Sequence, residues 1–348
     1  MLVMSVLGSK WLLVLTILLL GTLVELAVGS SPPGEFFHPV PIALFLMLYG
    51  AGALLVRELA LLTQSGWFGR AVLGFGYGII EEGLCCKSFC DPAWGDLGRL
   101  QGYDHFLGIN WIWTPYLTVF HGLFSICLVL LISDLMFPHL TDELVTGARS
   151  RAFLFSSLGL VTVFGFFTFP HTPDRNFTFW PPVFWIVVFI VEIAAAYGLA
   201  RLWGAGNLRD TINVRNLRVP PWLLGFLVFV VTALFFTGMN IAPSVLPALP
   251  AAGAILSYIL LAAVLGVLVL LFYRNPEITW RHQLAAVWGA LVLFAVIGPL
   301  QELDASRPDN TSGMAIVGLG ILAFLAMLTV AVARRHRSTT ARSDSRLL

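Results

Sequence analysis

Charge is what this sequence has least of: Asp, Glu, Lys and Arg make up 11% of its 348 residues, where a soluble globular domain carries about 25%. Cysteine is scarce too, with 4 in all, too few for a disulfide scaffold. Little charge beside much apolar content excludes a disordered chain. A net charge of +1 leaves no electrostatic footprint for nucleic acid, and none is expected as a partner. The chain also lacks a phosphate-binding loop, a Rossmann glycine pattern and a nucleophile-elbow serine in a suitable context.

What it has in excess is apolar: 58% of residues are hydrophobic and the mean hydropathy is +0.87. No compact soluble fold has the interior to hide this, so lipid is the solvent for most of the chain. A helix crosses the hydrocarbon in about 20 residues. On that ruler the sequence predicts ten spans: 11–29, 38–61, 69–88, 111–136, 152–170, 182–203, 222–241, 247–273, 283–300 and 314–333. Ser31-Pro32-Pro33-Gly34, Pro220-Pro221 and Arg274-Asn275-Pro276 punctuate them. Backbone in lipid must satisfy its own hydrogen bonds, so the expected fold is all-α, a polytopic helical bundle. Residues 1–348 read as one polytopic membrane domain without a fixed-period repeat, multi-pass in the cell membrane, with the lipid bilayer as its partner.

Basic residues orient the bundle. With the tail at 334–348 in the cytoplasm, only Lys87, Arg99, Arg175 and Arg307 of the 20 basic residues fall outside. Lys10, Arg57, Arg70, Arg149, Arg151, Arg201, Arg209, Arg215, Arg218, Arg274 and Arg281 fall inside with the tail. Both termini are therefore expected to be cytoplasmic. Residues 1–30 form either a first anchor span or a signal-like segment; the long apolar run and Glu25 within it favour the anchor. The longest aqueous segment, 89–110, is an outer loop. The sequons at Asn176 and Asn310 also map outside.

Ionisable residues inside spans are costly and are read as functional candidates. In span three, Gly74, Tyr77, Gly78, Glu81, Glu82 and Cys85 share one helical face. Small residues there admit a neighbouring helix, and the carboxylates point at it. Two adjacent carboxylates in a low dielectric cannot both stay charged cheaply, which suits proton transfer or general-base work. Span four offers a polar stripe of Thr114, Thr118, His121 and Ser125. The two spans are consecutive, and Glu81 and His121 lie at similar depth in the outer half. A Glu81–Glu82–His121 cluster is expected, with Tyr77, Thr114 and Thr118 around it.

The loop 89–110, with Asp91, His105 and Asn110, is either a lid over this cluster or a structured connection whose Trp residues mark the headgroup belt. Glu192 in span six is either a further functional carboxyl or a helix-to-helix hydrogen bond. Glu58 and Asp134 lie near cytoplasmic ends, Glu58 as a rim ion pair with Arg57. Cys85, Cys86, Cys90 and Cys127 show no zinc spacing, and a disulfide from Cys90 stays open. The sequence names no cofactor, and Glu81, Glu82 and His121 alone are too few ligands to assert a metal.

Ile79-Ile80-Glu81-Glu82, the basic Lys87 that follows, and Phe120-His121-Gly122 in the next span resemble the glutamate-dependent intramembrane proteases. That group includes the CAAX-protease/bacteriocin-immunity and PrsW-like families, and the resemblance spans three to five only. It implies a membrane-embedded hydrolase in which Glu81 or Glu82 is the general base and His121 holds the water or the oxyanion. The substrate would be a peptide, and an outer pocket open to the bilayer would serve a lipid equally well. Two other readings stand beside it. One is a proton- or cation-coupled small-molecule transporter using Glu81, Glu82 and Glu192. The other is a non-enzymatic scaffold or accessory subunit whose polar stripe only packs helices.

The orientation has a direct test. A membrane-impermeant thiol reagent applied from outside is expected to label Asp96→Cys and to miss Arg215→Cys; the opposite pattern overturns it.

Overall fold

The computed structural model describes residues 2–169, 177, 180–205, 219–273, 278–305, 307 and 309–344. His171, Arg175, Asn176, Thr178, Arg209, Arg215, Arg218, Arg274 and Arg346 lie outside the described residues. The chain is 79% helical. Among the described residues, strand is confined to His105–Phe106 (β1) paired antiparallel with Ile109–Asn110 (β2). Among the described residues, seven helices are long and apolar enough to cross a membrane: Gly8–Val28, Pro39–Leu62, Trp113–Met136, Ala148–Thr168, Pro221–Met239, Trp280–Leu303 and Met314–His336. This is a multi-pass helical membrane protein.

In chain order the α-helices are α1 Leu2–Thr22, α2 Val24–Val28, α3 Pro33–Phe36, α4 Pro39–Phe45, α5 Ala51–Leu62 and α6 Gly66–Gly78. Then come α7 Trp113–Phe120, α8 Val129–Met136, α9 Ala148–Thr168 and α10 Pro182–Ala205. The last four are α11 Pro221–Val245, α12 Pro250–Tyr273, α13 Trp280–Leu303 and α14 Met314–Asp344. Spans three and four, expected as continuous α-helix, are not. A π-helical segment follows α6 at Ile79–Cys85, and another joins α7 to α8 at His121–Leu128. A third, Leu46–Gly50, joins α4 to α5. Local propensity carries no signal for this wider winding, so periodicity alone reads straight through it.

The α7–α8 span is the axis of the bundle, with 72% of its apolar window buried. Glycines set how near α6 comes to it. A Cβ on Gly74 would lie 3.0 Å from the Gly122 Cα, and one on Gly78 would lie 3.0 Å from the Thr118 carbonyl oxygen. Lipid tails are as apolar as Leu, so this close packing, not water exclusion, holds the helices together. On one side of the axis pack Phe120, Phe124, Phe235 and Phe294; on the other pack Tyr49, Leu54, Val129 and Leu158.

The bundle has two distinct ends. At one, the loop 89–110 lies over α11: Tyr103 donates to the Leu246 carbonyl at 2.8 Å and Arg99 to Ser244 Oγ at 2.8 Å. At the other, the segment 137–147 turns back, and both chain ends reach it. Lys10 pairs with Glu143 at 3.0 Å, while Arg335 bonds the Met136 carbonyl. We call these the loop end and the tail end.

The expected rim ion pair is corrected here. Arg57 and Glu58 pair at 2.7 Å with both side chains 0% exposed. The segment 137–147 folds over them: Arg57 donates to the carbonyls of Leu140 and Glu143, and Glu58 accepts from Val145 and Thr146. Depth counted along a span cannot see a loop that returns to cover it. Asp134, also read as a rim residue, pairs with Arg70 under the same segment. All four cysteines are free thiols.

A buried ion pair that loses one partner leaves an uncompensated charge, at a cost of about 3–5 kcal/mol. Glu58→Ala is therefore expected to lower the thermal unfolding temperature in detergent sharply. Arg99→Ala, at an exposed position, serves as the near-neutral control. Equal unfolding temperatures for the two variants would refute the buried-pair account.

Candidate functional site

Three α-helical runs are interrupted by π-helical segments, and all three segments meet at one place. Leu46–Gly50 supplies Tyr49, Ile79–Cys85 supplies Glu81 and Glu82, and His121–Leu128 supplies His121 and Ser125. A π segment takes more residues per turn and shifts the carbonyl ladder, and such segments recur at functional sites. Here the winding lets two consecutive carboxylates address the same imidazole.

The His121 ring sits between them. Its Nε2 is hydrogen-bonded to Glu82 Oε1 at 2.9 Å, and Nδ1 to Ser125 Oγ at 3.1 Å. Glu81 Oε2 lies 2.9 Å from Nδ1, an ion pair when the ring is protonated. Tyr49 donates its hydroxyl to Glu81 Oε1, and Ser88 donates to Glu82 Oε2. Trp113 Nε1–H donates to Ser88 Oγ at 3.1 Å. Glu81 and His121 are 1% exposed and Glu82 is 6% exposed. Aromatic rings wall the imidazole: Tyr49 stacks at 6.0 Å between centroids, while Tyr77 and Phe120 meet it edge-on.

A further carboxylate joins from the first span. Glu25 on α2 is buried and is in electrostatic range of Glu81, His121 and Glu82. Three carboxylates around one imidazole give the centre an excess of acidic groups, which favours a proton or another positive guest. One ligand atom each from Glu81, Glu82 and His121 fall within 4.8 Å of one another. That nitrogen–oxygen set is one a divalent cation accepts. Two buried polar atoms of the centre, Glu81 Oε2 and the Tyr77 hydroxyl, have no hydrogen-bond partner among the described residues. Polar groups so placed are costly, and such exceptions mark functional positions.

The other residues named from the sequence are placed differently. Thr114 and Thr118 do not reach the centre: their hydroxyls donate to the carbonyls of Asn110 and Thr114, each at 2.8 Å. A Thr hydroxyl in lipid is satisfied at once by the carbonyl four residues back, so a polar stripe need not be a binding face. Asn110 is structural: its Oδ1 caps α7 through the N–H groups of Ile112 and Trp113, and its Nδ2 ties down Leu100 and Tyr103. Asp91 closes a turn onto the Ala93 N–H, and the His105 ring meets the Cys90 carbonyl at 3.1 Å. Lys87 is fully buried, bonding the Phe166 carbonyl and lying over the Phe166 ring. Glu192 packs against Gly76 on α6, with its Oε2 lacking a hydrogen bond among the described residues.

The loop 89–110 is ordered over the centre by this capping and by a short 3₁₀ helix at Gly95–Leu100. Asp96 in that helix is exposed as a residue, yet protein packed around its carboxyl desolvates it and holds it above the usual carboxylate range. The Glu82 charge adds to the rise and Arg307 opposes it, which puts Asp96 in electrostatic range of the buried centre.

Tyr49, Glu25 and Ser88 escape a reading of the sequence. Tyr49 sits in an apolar run and reads as core, and Ser88 follows the span. Glu25 is visible as a carboxyl in a span, the signal that singled out Glu81 and Glu82. Comparison with protein-family models, with curated proteins and with solved structures finds no match.

The approach of α6 to α7 holds the centre together, and this can be tested without an assay of function. A Cβ on Gly78 would also lie 3.1 Å from His121 Cβ. Gly78→Val is expected to cost about 1–3 kcal/mol by overpacking, seen as a lower unfolding temperature. Gly95→Ala, where the space is open, is expected to have little effect. Equal stability of the two variants would contradict the packing described.

Proposed function

We propose that this chain is a ten-span cell-membrane protein with both termini cytoplasmic, carrying a membrane-embedded hydrolase centre at Glu81, Glu82 and His121. The observation that carries the reading is the division of labour between the two carboxylates. Both oxygens of Glu82 are engaged, one by His121 and one by Ser88. That makes Glu82 the group that orients the imidazole. Glu81 is held by Tyr49 through one oxygen only, and its Oε2 keeps its acceptor capacity beside the imidazole. A water hydrogen-bonded there would be polarised by a carboxylate base, with His121 beside it to share the proton or to stabilise the developing oxyanion. The reaction class is hydrolysis of an amide or ester presented within the bilayer. The resemblance to glutamate-dependent intramembrane proteases points to a peptide substrate.

The ten-span topology rests on the seven long helices together with the α6 span, α10 and α12. The common location of Lys10 and Arg335 contacts supports one side for both ends, and the basic residues favour the cytoplasm for it.

A second reading, a proton-coupled carrier, is favoured by one observation. Tyr49, Glu81, His121, Glu82 and Ser88 form a run of neighbouring proton-bearing groups, with the buried Glu25 in electrostatic range of it. Reconstituted protein separates the two. The hydrolase reading expects release of fragments from a library of membrane-spanning peptides, lost by about 10²–10⁴-fold in Glu81→Gln while the variant stays folded. His121→Ala is expected to be nearly as damaging. Full fragment release by the Glu81→Gln, Glu82→Gln double variant would sink the hydrolase. Glu81-dependent proton uptake by the vesicles without fragment release would establish the carrier in its place.

A further inference from the structure

The tail end of the bundle carries a feature unrelated to the carboxylate centre. Between α11 and α13 lies an apolar groove of ≈ 420 Å³. Its floor is backbone: a Cβ on Gly289 would fall 2.2 Å from the Gly225 carbonyl oxygen, and one on Gly225 would fall 2.8 Å from that of Ala285. The two helices meet there at closest approach, and their large side chains stand up on either side as walls. Trp222 and Phe226 line it from α11, and Trp280 and Trp288 from α13. Trp222 is 71% exposed and Phe226 is 56% exposed, so the groove opens sideways, toward the surface that lipid covers.

Its charge is on one side only. Among the described residues, Arg281 is the one charged residue lining the groove. It is exposed, and its guanidinium lies over the Trp280 ring at 5.4 Å. Next to it, Trp280 stacks on His336 with centroids 4.6 Å apart and planes at 5°. That stack draws in the end of α14, where Arg334 and Arg335 are exposed. The result is one guanidinium, Arg281, at the mouth of an apolar slot, at the end of two helices, flanked by Trp rings. Trp at this depth marks the headgroup level of a bilayer.

We propose that this groove binds an anionic glycerophospholipid, with an acyl chain between Trp222, Phe226 and Trp288 and the phosphate on Arg281. Charge complementarity selects the headgroup: the rim offers the Arg281 guanidinium, and among the described residues no Asp or Glu lines the groove to reward a zwitterion's cation. A guanidinium forks onto two phosphate oxygens where an ammonium makes a point contact. The aromatic walls select the long apolar tail over a soluble phosphate. With the topology proposed above, the groove faces the leaflet in which anionic lipid is concentrated.

Native mass spectrometry of the full chain in detergent tests this, by titration with phosphatidylglycerol and separately with phosphatidylcholine. Phosphatidylglycerol is expected to bind at least about tenfold more tightly, the worth of one charge-assisted hydrogen bond. Arg281→Gln is expected to remove that preference, and Arg281→Lys to restore part of it. Because Arg281 is exposed, neither change threatens folding. Phosphatidylglycerol brominated on its acyl chains should quench part of the tryptophan fluorescence, and that part should shrink in Arg281→Gln. Equal binding of the two lipids, or a preference unchanged in Arg281→Gln, would overturn the proposal. Hydrolysis at Glu81 has no bearing on either readout.

Discussion

One imidazole between two carboxylates, at a depth where the solvent is hydrocarbon, is the constraint the centre of this structure is built around. An unmatched polar atom in such a medium costs several kcal/mol, and a lone charge costs more. Glu81, Glu82 and His121 therefore persist together or not at all. The surroundings follow from that demand: Tyr49 and Ser88 supply donors to the carboxylates, Ser125 meets Nδ1, and Trp113 holds Ser88 in place. Bringing carboxylates on one helix to an imidazole on the next requires backbones in near contact, which the glycines at 74, 78 and 122 permit. The π-helical segments complete the arrangement by letting neighbouring side chains converge.

The same spans carry a second ionic cluster at the tail end, and the contrast between the two separates structure from chemistry. Glu58 is saturated, its two oxygens accepting from Arg57, Val145 and Thr146. Arg57 spends its terminal nitrogens on Glu58 and on two carbonyls of the covering segment. Such a cluster fixes the loop 137–147 and offers no acceptor oxygen to a guest. The Glu81 centre is built from equally expensive groups but keeps Oε2 and the Tyr77 hydroxyl without hydrogen bonds among the described residues. Folding alone would favour pairing those atoms or replacing them with apolar ones. Among the described residues Arg57 Nε is unmatched too, so the two clusters differ in which atoms stay open: an acceptor oxygen beside an imidazole in one, a guanidinium nitrogen in the other.

Sequence reasoning reached Glu81, Glu82 and His121 because an ionisable side chain in lipid is conspicuous by cost, and consecutive spans are neighbours. It stopped where cost is locally cancelled or where proximity is not sequential. Thr118 looks polar on paper, but its hydroxyl is already spent on Thr114. Asn110 looks like a ligand and is a helix cap. Tyr49 arrives from a span two positions earlier in the chain than His121, and nothing local announces the contact. Glu58 shows the converse failure, since its depth along a span suggested a wet rim that a returning loop has closed. The helical class was legible, because hydropathy reports it directly, with seven of the described helices long and apolar enough to span where ten spans were expected; the π segments were not, because they are a tertiary outcome.

The loop 89–110 is mechanically joined to the carboxylate centre at both of its ends. Ser88, which immediately precedes it, donates to Glu82, and Trp113, just beyond it, donates to Ser88. Asn110 ties the loop's interior to the first turn of α7. Any movement of the loop that opens the centre to water or substrate therefore pulls on the group that orients His121. Glu82 is also the most exposed member of the triad, and its charge contributes to the rise of the Asp96 carboxyl in the loop. Access and alignment are thus not independent in this protein. Within the centre the loop side is linked to Glu82 through Ser88, while Glu81 is held by Tyr49 from another span.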